Sequence, residues 1–383
     1  MTSFATTEKA NIVRNFFFYA GILCELIVSF SGYLFGGYKE SLIILVGMAC
    51  FAVKILMSMD IKKDIPLLLI AGIYGLVCYK YQGSALVLRL LLILIAGRDQ
   101  DARKVVKVFF FGTLATMLVA AVLAYLGVYG SVTITDRFKR YDNEVRYAFG
   151  FLHPNSFAFF VFRTMIFGIY AYFDRLKWWM LIIIGLAYAG LIHLAESTIA
   201  MAVGLLLVVL VILAKLIKHK FYEVIIYYAG MLGMLMIIAF SYVAMVCFDP
   251  KFGDDGYAIG FWQTINQNYV TGRFTSANLA FLNNQMTPFG MYKGAQLTEI
   301  GFVDSLYYQG YVFMALYVIL LLVLYRKMYK SGNVTGMIIV AMSTLHSFAE
   351  SYLVYVNKNI VLMLGIGCLL NFCAQKKVGL KQE

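Results

Sequence analysis

Residues 178–195 and 197–214 are two apolar stretches parted only by Glu196. Each matches the hydrocarbon core of a bilayer, which takes about 20 residues of helix to cross. Inside lipid, only helices and closed barrels satisfy the backbone's polar groups. Continuous apolar stretches, as opposed to alternating ones, select helices. Stretches of the same kind recur at 15–35, 41–58, 65–80, 83–97, 105–130, 154–172, 223–248, 303–325, 334–349 and 355–373, about twelve in all. The chain of 383 residues is 62% hydrophobic and 14% charged, more apolar than a soluble protein can hide. The expected fold is all-α: a polytopic integral membrane protein forming one transmembrane domain over 1–383. Its longest polar segment, 249–302, falls between the ninth and tenth stretches. Aromatic and apolar residues in that segment (FWQTINQNYV, FTSANLAFL) predict a folded cap at the interface.

Asn15–Phe35 reads as a first span with no small-residue cleavage site after it. The net charge of +12 need not signal nucleic acid, because cytoplasmic loops of membrane proteins are rich in Lys and Arg. An N-inside start puts Arg98, Arg103, Lys104, Lys107, Lys215, Lys218, Lys220, Arg326, Lys327 and Lys330 in the cytoplasm, and with them both termini. The implied location is the cell membrane, crossed many times. The basic residues on the outer side are concentrated in 131–153 and 249–302, against that rule.

The six cysteines have no metal-ligand spacing and read as packing residues. No HExxH, paired CxxC or P-loop occurs, so neither metal-dependent nor ATP-driven chemistry is supported, and no cofactor is implied.

Arg146–Asn155 reads RYAFGFLHPN and ends beside one of only four prolines. Pro154 suits the first turn of a helix, where a missing N–H does no harm. That helix start would turn its positive dipole end toward whatever Arg146 and His153 face, and an anion is the natural ligand. The alternative is that HPN merely caps an interfacial helix. In VTGRFTSANLAFL, Gly272 permits an unusual backbone angle beside Arg273, whose planar fork of donors suits phosphate oxygens. Arg89 and Arg163 fall near the middle of spans, where a charge faces a cavity or a partner. Glu25 is an available partner for an internal ion pair. Lys54, near the end of its span, is expected to snorkel. Glu196, Glu299, Asp304 and Glu350 sit at helix ends, as dipole-stabilising caps or as the acids of an acid/base site. His193 and His346 read as structural, and His219 as solvated.

Taken in order, Arg146, Gly150-Phe151, His153-Pro154-Asn155, Ser197-Thr198, Thr271-Gly272-Arg273, Pro288-Phe289-Gly290 and Phe302-Val303-Asp304 with Tyr307 and Gly310 resemble a Wzy-type polysaccharide polymerase. The pattern is similar in particular to the capsular and exopolysaccharide branch of Gram-positive bacteria. The wider group includes the O-antigen ligases. One departure is Glu196-Ser197-Thr198, where relatives often carry an arginine.

The resemblance implies a metal-independent glycosyltransferase at the outer face of the membrane. Its substrate would be an undecaprenyl-pyrophosphate-linked oligosaccharide, and undecaprenyl pyrophosphate would leave. Besides membrane lipid, its partners would be a flippase and a chain-length regulator, with no nucleic acid. On this reading Arg146 and Arg273 bind pyrophosphate, with Arg89 and Arg163 as helpers. His153 is the general base or a pyrophosphate donor, and Asp304 and Glu350 are alternates for deprotonating the acceptor. A glycan ligase would use the same donor site. A flippase for the lipid-linked unit would suit the spans, although no internal repeat supports one.

Overall fold

The computed structural model describes residues 2–34, 40–135, 145–217, 219–248, 266, 272–291 and 298–366. Helices dominate it. In chain order they are α1 (Thr2–Leu34), α2 (Glu40–Ser58), α3 (Ile61–Gln82), α4 (Leu86–Ala96) and α5 (Ala102–Tyr125). A hairpin of β1 (Thr133–Thr135) and β2 (Val145–Tyr147) comes next, antiparallel, with Ile134 opposite Arg146. Then follow α6 (Pro154–Tyr172), α7 (Trp178–Ala195), α8 (Thr198–Leu216) and α9 (Lys220–Cys247). The last five are α10 (Arg273–Asn283), α11 (Gly301–Tyr308), α12 (Gly310–Lys330), α13 (Val334–His346) and α14 (Ile360–Gly365).

Among the described residues, eight helices are long and apolar enough to cross a membrane. They lie in α1, α2, α3, α5, α7, α8, α9 and α12. The chain is thus a largely helical, multi-pass membrane protein. Their outer faces carry exposed Leu, Ile, Val and Phe such as Leu69, Phe111, Leu186 and Val243, as lipid-facing surfaces should. By contrast α6 is lined with buried residues, Phe157 to Phe162 and Arg163 among them. It packs against α5, α7, α8 and α13 and forms the inner post of the bundle.

The single span expected over 303–325 is instead two helices. The chain turns at Gln309–Gly310, where Gly310 takes a φ of +88°. A Cβ on Gly310 would lie 2.4 Å from both the Gly290 nitrogen and the Pro288 carbonyl oxygen. Only glycine tolerates that approach and that angle. The first amides of α12 are satisfied from the same strap, Tyr311 N–H to Thr287 (3.2 Å) and Val312 N–H to Pro288 (3.2 Å). The strap is also fastened to α3, because the Gln82 side chain donates to the Phe289 carbonyl at 2.8 Å.

Lys54 does not snorkel. It is fully buried and donates to both oxygens of Asp99 at 2.8 Å. Asp99 also pairs with Arg14 at 3.5 Å, and Arg98 pairs with Asp64 at 2.6 Å. An isolated buried ammonium is too costly to keep charged, so the α2 lysine binds the turn that separates α4 from α5.

Candidate functional site

Asn266 and Gly272 build the mount for Arg273. Gly272 holds a φ of +84° as the cap of α10. The Asn266 carbonyl accepts from Gly272 N–H at 2.8 Å, and its side-chain oxygen accepts from Phe274 N–H at 2.9 Å. Its amide donates to Thr275 at 3.0 Å. With these first donors answered, the Arg273 side chain is held nearly buried, 8% exposed. Its Nε lies 3.4 Å from Glu299 and its Nη2 lies 3.9 Å from Glu350. The two acids differ in setting. Glu299 is 67% exposed and Glu350 is 27% exposed. Burial, with help from the Glu299 charge, pushes the Glu350 carboxyl up to about 7, against the opposing pull of Arg273 and Lys358. A carboxyl that ionises near neutral pH is poised to accept a proton there.

Asp304 has a different part. One oxygen accepts from Thr298 N–H and Thr298 Oγ1 at 2.7 Å each. The other accepts from Glu299 N–H at 3.1 Å and from the Ser351 hydroxyl. Burial raises its pKa, and these donors pull it the other way. Asp304 therefore ties the backbone before Glu299 to the residue after Glu350. It positions the two acids that face Arg273, and its own oxygens are engaged in doing so. Glu299 itself has a φ of +60°, a conformation that this clamp sustains.

Arg146 and His153 form a second group at the ends of α6 and α7. Arg146 is buried on β2, and its guanidinium donates to the Ala195 carbonyl (Nε at 3.0 Å, Nη2 at 2.5 Å) and the Glu196 carbonyl (3.1 Å). It also reaches Asn155 Oδ1 at 3.3 Å. These carbonyls close α7, so the cation meets the negative end of that helix. As expected from Pro154, α6 starts there, with His153 as its cap. His153 Nδ1 accepts from Asn155 N–H at 3.1 Å. An accepting Nδ1 puts the proton of a neutral imidazole on Nε2. A neutral His153 thus carries a donor at Nε2.

The two arginines within the helices have protein partners. Arg89 forms an ion pair with Glu25 at 2.7 Å, both buried. Arg163 donates to the Asn357 carbonyl at 2.9 Å and lies 4.1 Å over the Phe160 ring. What links α6 to the Glu350 segment is aromatic. His346 stacks on Phe162 at 4.1 Å, Phe159 meets Tyr352 at 4.8 Å, and His346 Nδ1 lies 3.2 Å from the Tyr352 hydroxyl.

Of the residues singled out from sequence, the structure thus gathers Arg273, Glu350 and Asp304. Glu299, also among the acids singled out, is a direct partner of Arg273, with Thr298 and Ser351 behind it. No spacing rule flags Thr298 or Ser351, and only the run of two polar residues before Ile300-Gly301 hinted at a loop worth pinning. Among the described residues, no group of three or more His, Cys, Asp or Glu could hold a metal ion. No family model, no curated protein and no solved structure matches this chain.

Proposed function

We propose that the chain is a polysaccharide polymerase. It would cross the cell membrane about twelve times, keep both termini in the cytoplasm and carry 249–302 as an extracytoplasmic cap. It joins undecaprenyl-pyrophosphate-linked repeat units and releases undecaprenyl pyrophosphate. One observation carries this reading: a nearly buried Arg273 stands beside Glu350, a carboxyl that ionises near neutral pH.

The reaction asks for those two groups together. Glu350 takes the proton from an acceptor hydroxyl, and that oxygen forms a bond to the donor's anomeric carbon. The bond from that carbon to the pyrophosphate oxygen breaks, and its electron pair leaves with the pyrophosphate. Arg273 meets the charge that develops there, and one such electrostatic donor is worth about 10²–10³ in rate. The pyrophosphate displaces the exposed Glu299 from the guanidinium, while Glu350 keeps its place. Arg146 and His153 would serve the donor lipid less directly, Arg146 by fixing the end of α7 and His153 through an N–H at the start of α6.

The test is purified protein in liposomes supplied only with the lipid-linked repeat. A polymerase makes a ladder of products without an added acceptor, and Glu350→Gln abolishes it. A ligase makes product only when a different acceptor is present. Accumulation of the lipid-linked repeat on the cytoplasmic face of a deletion strain would replace this reading with a transporter.

A further inference from the structure

Between β2 and the cap of α6 the chain reads Ala148-Phe149-Gly150-Phe151-Leu152, with no polar side chain in it. A turn that lies in water is normally built from Gly, Pro, Asn, Asp and Ser, and here only Gly150 fits. Phe151 is buried, its ring 4.7 Å from Phe160 and 6.1 Å from Phe157. Leu152 beside it is 60% exposed.

The depth of this turn follows from α5, one of the helices long and apolar enough to cross a membrane. Its first turns carry Arg103, Lys104 and Lys107, which mark one boundary. About 20 helical residues cross the hydrocarbon core, so the opposite boundary falls near Gly127. At about 1.5 Å per residue, Ala124 and Ala120 lie about 5 and 10 Å inside it. Gly150 is pressed against both. A Cβ there would lie 2.4 Å from the Ala120 carbonyl oxygen and 3.2 Å from the Ala124 Cβ. The neighbouring α6 runs antiparallel to α5, with Thr164 Oγ1 3.2 Å from Met117 Sδ and Lys107 Nζ 5.3 Å from the centre of the Tyr172 ring. The start of α6 at Pro154 therefore comes level with about residue 127. The turn dips below that start and returns.

Backbone at such a depth must find its partners within the protein. The amides of Ala148 and Phe149 donate to the Val132 carbonyl at 2.9 and 3.1 Å. That of Gly150 donates to Ser131 at 2.9 Å, and that of Phe151 to Ala148 at 2.9 Å. The turn thus meets the condition for lying in lipid. Leu118, Val122 and Tyr125 are exposed on the same end of α5, so acyl chains reach the level of Leu152.

We propose that residues 148–152 form a re-entrant turn docked in the bilayer, with Leu152 seated among the phospholipid acyl chains of the leaflet in which α5 ends. Arg146 and His153, which flank the turn, are thereby held at the level of the headgroups. This holds whatever reaction the Arg273 cluster performs.

Fluorescence of the full chain in liposomes tests it. The three tryptophans, Trp178, Trp179 and Trp262, are replaced by Phe, and single reporters are placed by Leu152→Trp, Leu118→Trp and Asp174→Trp. Leu118 is the lipid-facing reference, and Asp174, whose side chain is 66% exposed, is the aqueous one. Phosphatidylcholine brominated on its acyl chains is expected to quench Leu152→Trp as it quenches Leu118→Trp. Acrylamide in the water is expected to quench Asp174→Trp alone. Phospholipid with a diazirine on its acyl chain repeats the measurement on the unaltered chain, and adducts are expected within 147–153. Acrylamide quenching of Leu152→Trp equal to that of Asp174→Trp would put the turn in water. Protection from both quenchers would mean that a protein surface, a second copy included, covers it. Either result, or a lack of adducts in 147–153 when α5 is marked, overturns the proposal. No turnover is read, so this outcome is separate from that of the polymerase assay.

Discussion

Glu350 gives the sharpest experiment. Its carboxyl is pushed up to about 7, with burial as the largest cause, Glu299 adding to it, and Arg273 and Lys358 opposing. A base must be ionised to act, so polymerisation should rise with pH through a midpoint near 7. Two neighbours should move that midpoint in opposite directions. Glu299→Gln removes a like charge and lowers it. The side chain of Glu299 is 67% exposed, so screening keeps the change to about half a unit. Arg273→Gln removes the opposite charge and raises it. At the observed 3.9 Å, two unit charges near a protein surface interact by about 4 kcal/mol. Partial exposure reduces this to the one to three units typical of a carboxyl beside an arginine, about 2 units here.

The same titration is visible without substrate. A carboxyl with a raised folded-state pKa contributes stability that is complete below its ordinary value of 4.5 and lost as pH rises through about 7. The most that this can amount to is about 3 kcal/mol, and solvent contact at 27% exposure brings it lower. Melting of the wild-type protein in detergent should fall across that window, and Glu350→Gln should flatten the fall. Activity profiles over the same range give the catalytic half. A midpoint that stays put in Glu299→Gln, or moves up, refutes the electrostatics. Full activity in Glu350→Gln refutes the assignment of the base.

Two further outcomes follow from the arginines. Glu25→Ala leaves Arg89 buried and unpaired, which should destabilise the protein by about 3–5 kcal/mol, whereas the double variant Glu25→Leu/Arg89→Met should recover most of that in a thermal melt. Arg146→Lys keeps the charge but loses the fork that reaches the Ala195 and Glu196 carbonyls, so its melting point should drop by the equivalent of about 1.5–3 kcal/mol while binding of a lipid pyrophosphate by Arg273 persists.

Sequence reading reached the helices because lipid imposes a single rule on every span, and continuous apolar stretches state that rule openly. The start of α6 at Pro154 and the unusual angle at Gly272 were legible for the same reason: each is a local demand met by one residue type. The turn at Gln309–Gly310 was not, since GYVFMALY continues the apolar pattern on its far side and the reason for the break lies at Pro288–Gly290, distant in sequence. Lys54 was misjudged because its partner, Asp99, sits on another helix connection. The roles of the acids were out of reach for a related reason. Asp304 and Glu350 look alike as letters, and only their surroundings separate them. Asp304 meets the donors of Thr298, Glu299 and Ser351, and Glu350 faces a guanidinium.

The strap of residues 287–291 is fixed from two sides. Its carbonyls fill the first donors of α12, the Met291 N–H is held by Tyr307 at 2.7 Å, and Phe289 lies between Tyr74 and Tyr81 of α3 at 6.2 and 5.7 Å. Lifting it would break several hydrogen bonds on two sides at once and uncover a helix end. The strap is accordingly a doorpost and not a door. Beside Arg273 the exposed partner is Glu299, and in the proposed reaction that acid, not the strap, is the part that gives way.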